Sequence, residues 1–175
     1  MRKSLAFTFV SVALVAAAGV ARAEDAPSDA QIAAIVVAAN NVDIDAGKLA
    51  QERGVETDTK ELGEMMVGEH TSLNTKAAAL VKKIGVNPEE SAVSRSLKEN
   101  GDKQLAKLKE LKTQEFDKAY VDNEVAYHTA AVELLTKTLI PNAKNPELKE
   151  LLVSAEPIFK AHLEHAKAAQ VALTR

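Results

Sequence analysis

A chain of 175 residues suffices for one domain with a real core, and 46% hydrophobic content carried by only 3% aromatic residues means that Ala, Leu and Val fill it. With abundant Lys and Glu, that composition favours an all-α fold of closely packed helices. A formal net charge of −3 without a clustered basic face argues against a nucleic-acid partner, and the absence of cysteine rules out disulfides and thiolate ligands.

Met1 to Ala23 reads as a secretory signal peptide: Arg2 and Lys3 are its basic start, Leu5 to Val20 its apolar run, and Ala21-Arg22-Ala23 its cleavage site. Its removal leaves 19 Lys and Arg against 25 Asp and Glu, a net charge near −6 on a single domain spanning residues 24–175. No later apolar run is long enough to cross a bilayer, so the expected product carries no transmembrane anchor and is periplasmic or secreted.

Ser28, with Gln31 three residues on, forms a capping box that opens a first helix running to about Arg53. Ile32, Ile35, Val36, Ala39, Ala46 and Ala50 make its inner stripe, and Asp43 lies at the stripe's margin, either toward the core or reaching water. Gly54-Val55 ends this helix, and Asp58 with Glu61 forms a second capping box. The second helix, ending at Gly85, carries Leu62, Met66, Leu73, Ala77, Leu80 and Ile84 on one face, with His70 among them.

Asn87-Pro88-Glu89-Glu90 is a further start signal, N-cap then proline then acids. Ser91 to Lys112 follows, charged, thinly apolar and interrupted at Asn100-Gly101, so it is expected as a short crossover helix or a broken pair. A third helix starts at Thr113 to Glu115 and stops at Pro141, with Val121, Val125, Val132, Leu135 and Leu139 inward and His128 between them. Asn145-Pro146-Glu147 starts the fourth, whose stripe of Leu148, Leu151, Ala155, Phe159, Ala166, Ala169 and Leu173 contains His162, with His165 at its edge. Pro157 is expected to kink or break this helix near Val153.

His70, His128 and His162 thus point inward near the middle of helices of about 40 Å, and mid-helix residues of a bundle share one layer whichever way each helix runs. Imidazoles in an apolar core need partners for their lone pairs. Coordination of a transition metal supplies one, with copper or zinc favoured and nickel or iron compatible. Asp43 or Met66 is the candidate fourth ligand, Glu69 and Glu124 are candidate outer ligands or acceptors that orient a ring, and His165 either joins or faces solvent. The competing reading is a structural or stress-related envelope protein, without metal, whose histidines are packed polar core. No acid stands three residues before any histidine, so the Glu-x-x-His pairs of carboxylate-bridged di-iron bundles are missing, and no hydrolase or nucleotide motif occurs. Nothing marks the chain as an enzyme.

Glu64-Met-Met-Val-Gly-Glu-His70, Phe116-Asp-Lys-Ala-Tyr-Val-Asp122 leading to Ala126-Tyr-His128, and Ala161-His-Leu-Glu-His165-Ala together resemble the secreted bacterial family of domain of unknown function 4142. The resemblance extends over about Ser28 to Leu173. It implies a ferritin-like four-helix bundle with a short extra crossover helix, in the cell envelope, without an established activity. The family is often labelled a predicted outer membrane protein, but this sequence shows neither barrel strands nor a span, which keeps the periplasmic expectation. His70, His128 and His162 stand at positions matching the family's motifs, which bring no agreed role with them.

Overall fold

The structure, a computed structural model, describes residues 26–174, and the expected signal peptide lies outside them. Five helices make up the described chain: α1 (Asp29–Arg53), α2 (Thr57–Lys83), α3 (Ala92–Glu110), α4 (Thr113–Leu134) and α5 (Pro146–Ala172). α4 continues through a π-helical turn, Leu135–Leu139, into a last α-helical turn, Ile140–Asn142. No strand occurs among the described residues, so the all-α bundle expected from composition is what forms.

The apolar residues divide into two clusters. One holds Ala46, Leu49 and Ala50 with Leu62, Met66, Phe116, Val121 and Ala166. The other holds Ile32 and Ile35 with Leu73, Leu135, Leu139, Leu148, Leu152 and Phe159. Along α1 and α5 the chain passes from the second cluster to the first, and along α2 and α4 from the first to the second. Hence α1 and α5 run one way and α2 and α4 the other. Two consecutive long helices in the same direction need a return path, which α3 supplies while lying against α1.

Local chemistry sets each end. Ser28 and Gln31 cap α1 reciprocally, as expected. Asn145 Oδ1 accepts from the amides of Glu147 and Leu148 at the start of α5, again as expected. The expected Asp58–Glu61 box does not form. α2 begins at Thr57 behind Glu56, and the buried carboxylate of Asp117 on α4 accepts from the Val55 and Glu56 amides at 3.0 and 3.2 Å. A carboxylate from a neighbouring helix has replaced the local cap.

Asn87-Pro88 does not start a helix either. Residues 86–91 are non-helical, with the Glu89 amide donating to Ala30 O at 3.0 Å, and the start passes to Ser91, which exchanges capping bonds with Ser94. Nor is α3 broken at Asn100-Gly101: a Cβ at Gly101 would stand 2.5 Å from a Val42 methyl, so the glycine serves close approach to α1. α4 ends at Asn142, within a residue of Pro141 as expected, after the widened π-helical turn at Leu135–Leu139. α5, by contrast, passes through Pro157 without interruption.

α1 and α2 approach closely through Gly47 and Gly63, where a Cβ on either would come within 2.8 and 2.7 Å of the other's carbonyl oxygen. This crossing lies one turn beyond Asp43 on α1 and two turns before His70 on α2. It sets the separation of the two side chains.

Candidate metal centre

Between the two apolar clusters lies a polar layer. Asp43 is one turn from Ala46, His70 one turn from Met66 and Leu73, Glu124 and His128 follow Val121, and His162 follows Phe159. Asn40, Asp43, His70, Glu124, His128 and His162 are all at most 1% exposed. The inward placement read from the stripes therefore holds for His70, His128 and His162, and the open question over Asp43 resolves toward the core.

The rings are clustered. Centroids of His70 and His162 are 4.9 Å apart, of His128 and His162 5.1 Å, and of His70 and His128 5.7 Å. One ring nitrogen from each of the three lies within 4.8 Å of the others. Phe159 walls the group on one side, 5.3 Å from the His70 ring.

Each imidazole is anchored by one nitrogen to an oxygen outside the cluster. His70 Nδ1 is 2.9 Å from Asn40 Oδ1, His128 Nδ1 is 3.1 Å from the Glu124 carbonyl, and His162 Nε2 is 2.9 Å from Glu69 Oε2. All three oxygens are acceptors, so these nitrogens carry the protons. Asn40 is held in this orientation by its own amide, which donates to Asn74 Oδ1 at 2.8 Å, and Asn74 in turn donates to Asn41. The nitrogens left over, His70 Nε2, His128 Nε2 and His162 Nδ1, are buried inside the group. The same second-contact pattern orients imidazoles around metal ions.

Asp43 closes the group. Its Oδ2 is 2.6 Å from His70 Nε2 and 3.3 Å from His128 Nε2, contacts that need a cation, a proton or a metal ion, between the carboxylate and the rings. Burial pushes this carboxyl up, but the close contacts and charge of His128 and His70 outweigh it and hold Asp43 well below the usual carboxylate range. Burial, then the charges of His70 and His128, push His162 down to about 4 against the pull of Glu69. Glu124 is raised well above its ordinary value by burial and then by the charge of Asp43. Asp43, Glu124 and His128 form a second group whose ligand atoms lie within 4.8 Å of one another.

The remaining candidates separate. Glu69 reaches the centre through His162 while its side chain stays 49% exposed. Met66 is fully buried in the apolar cluster of Leu62, Tyr120 and Val121. His165 is exposed, lining a surface pocket with Asp58, Glu61 and Met65. The stripe reading overlooked Asn40 altogether; an amide amid the inner-face residues Ile35, Val36, Ala39 and Asp43 was the available signal.

The family model for a domain of unknown function (DUF4142) matches residues 15–169. The chain belongs to this DUF4142 family. Among curated proteins and among solved structures, none matches it. The feature of the DUF4142 bundle that bears on its function is the buried histidine group, whose side chains could hold a metal ion.

Proposed function

We propose that this protein is an exported helical bundle that binds a transition-metal ion through His70 Nε2, His128 Nε2 and His162 Nδ1, with Asp43 as fourth ligand, and so sequesters, buffers or senses that metal. One observation carries the reading: three buried imidazoles, each anchored through one nitrogen to an outside oxygen, bring a ring nitrogen apiece within 4.8 Å of one another, with the buried Asp43 carboxylate 2.6 Å from His70 Nε2. An orphaned buried polar atom costs about 1 to 3 kcal/mol, and several in one place call for a common partner. Three nitrogens and one carboxylate oxygen suit Zn(II) or Cu(II). The leader-like Met1 to Ala23 supports action in the periplasm or outside the cell, and no described helix is long and apolar enough to cross a membrane. We read the helix order, two parallel helices joined by a long crossover, as ferritin-like.

The test is isothermal titration of the chelator-stripped protein with Zn(II), Cu(II) and Ni(II), beside His70→Ala and His128→Ala. A tight site lost in both variants is the expected result. Binding that neither substitution changes, or no binding above the weak nonspecific level, overturns the reading in favour of histidines serving as packed polar core.

A further inference from the structure

The donors buried in this layer outnumber what one ion uses. With three histidine nitrogens and Asp43 Oδ2 assigned to a first ion, Asp43 Oδ1 and both Glu124 oxygens are still buried without hydrogen bonds, and so is the Tyr120 hydroxyl. Tyr120, Glu124 and His128 follow one another at four-residue spacing on the inner face of α4, so phenol and carboxylate stand one turn apart on one line.

His128 cannot serve both ions. Its Nδ1 proton is engaged by the Glu124 carbonyl at 3.1 Å, leaving Nε2 alone for coordination. Asp43 can, because a carboxylate offers two oxygens and only Oδ2 faces the rings of His70 and His128. Two carboxylates buried side by side repel each other unless a proton or a cation lies between them.

From this geometry we infer a second cation position on the α1–α4 side of the layer, formed by Glu124 and Asp43 Oδ1 with the Tyr120 hydroxyl beside it, so that Asp43 bridges a nitrogen-rich and an oxygen-rich ion. The inference rests on the proposed function, since it takes the histidine ion as the first occupant. Oxygen donors of this kind select a hard or borderline divalent ion such as Mn(II), Fe(II) or Zn(II) over a soft one. The centre is thus asymmetric. Each position follows from its own residues, and no Glu-x-x-His pair is needed.

Metal content after loading with Zn(II) or Mn(II) and desalting tests this, in the wild type, Glu124→Gln, Tyr120→Phe and His70→Ala. Glutamine keeps the shape of Glu124 without its charge, and circular dichroism verifies that each variant is folded. The expected result is two ions per chain in the wild type and one in Glu124→Gln, with Tyr120→Phe weakening only the second. Mn(II) electron paramagnetic resonance should show a spin-coupled pair in the wild type and an isolated ion in Glu124→Gln. One ion in the wild type, or two in both wild type and Glu124→Gln, overturns the second position. No ion in the wild type overturns the proposed function itself, so the two failures are distinguishable.

Discussion

Replacing Gly63 with alanine tests how close α1 and α2 must lie for Asp43 to meet His70. The new Cβ would stand 2.7 Å from Gly47 O and 2.9 Å from Ala50 Cβ, where unforced contact begins at 3.4 Å, so the helices must part by about 0.7 Å. A backbone carbonyl cannot swing aside as a side chain can. Overpacking of this kind costs about 1 to 3 kcal/mol, and alanine's better helix propensity returns about 1 kcal/mol. The same helix contains its own control: a Cβ at Gly68 meets nothing within 4 Å. Gly68→Ala therefore keeps the propensity gain alone, and it should exceed Gly63→Ala in stability by about 1 to 3 kcal/mol, at about 2 to 4 °C in Tm per kcal/mol for a chain of this size. Thermal melts followed by circular dichroism read this directly. Parting the helices also draws Asp43 from His70, so Gly63→Ala should weaken metal binding where Gly68→Ala does not. Equal gains in Tm for both substitutions would refute the claim that this crossing sets the geometry of the centre.

Four further outcomes are expected. In the metal-stripped protein, His162 resists protonation down to about 4 whereas the unfolded chain takes up that proton near 6.5, so stability should fall as pH drops through this window, and melts of His162→Gln should lose that slope. Glu124 has the opposite sign: its folded pKa is raised, so it weakens the fold as pH rises past the ordinary carboxylate value. Glu124→Gln should accordingly raise the Tm of the stripped protein at pH 7 and change it little near pH 4. Asn40→Ala removes the acceptor that orients His70, and titration should show metal affinity reduced about 10- to 100-fold with helicity unchanged. Asp117→Ala leaves the Val55 and Glu56 amides without their acceptor, and urea unfolding should show a loss of about 1 to 3 kcal/mol without loss of metal binding.

Glu124 illustrates how function and stability part company in this chain. A glutamate at 0% exposure without hydrogen bonds to its side chain weakens the metal-free fold, and hydrophobic replacement would be the simpler core. The same is true of Asp43 and the inward-facing ring nitrogens. A purely structural polar core would have its lone pairs satisfied. In this layer the 2.6 Å contact of His70 with Asp43 still leaves His162 Nδ1 and Asp43 Oδ1 without partners, and a cation would satisfy them together.

Much of this was legible in the sequence because helical periodicity needs no partner. The inward histidines, their common height, the Ser28 and Asn145 caps and the all-α class each follow from residues within a turn or two of one another. What periodicity cannot say is how two neighbouring helices divide the groove between them. Asp43 and Glu124 both lay toward the margins of their stripes, and only the docking of α1 against α2 and α4 decided that they are buried together. The departures from local expectation share that cause. Asp58 lost its capping role to a carboxylate from α4, Asn87 yielded to a segment bonded to α1, and Gly101 became a contact with Val42, each through a partner distant in sequence. Local sequence determined which side chains each helix could offer to the interior; tertiary packing decided which of them meet, because burial and lone-pair direction belong to the whole bundle and to no single helix.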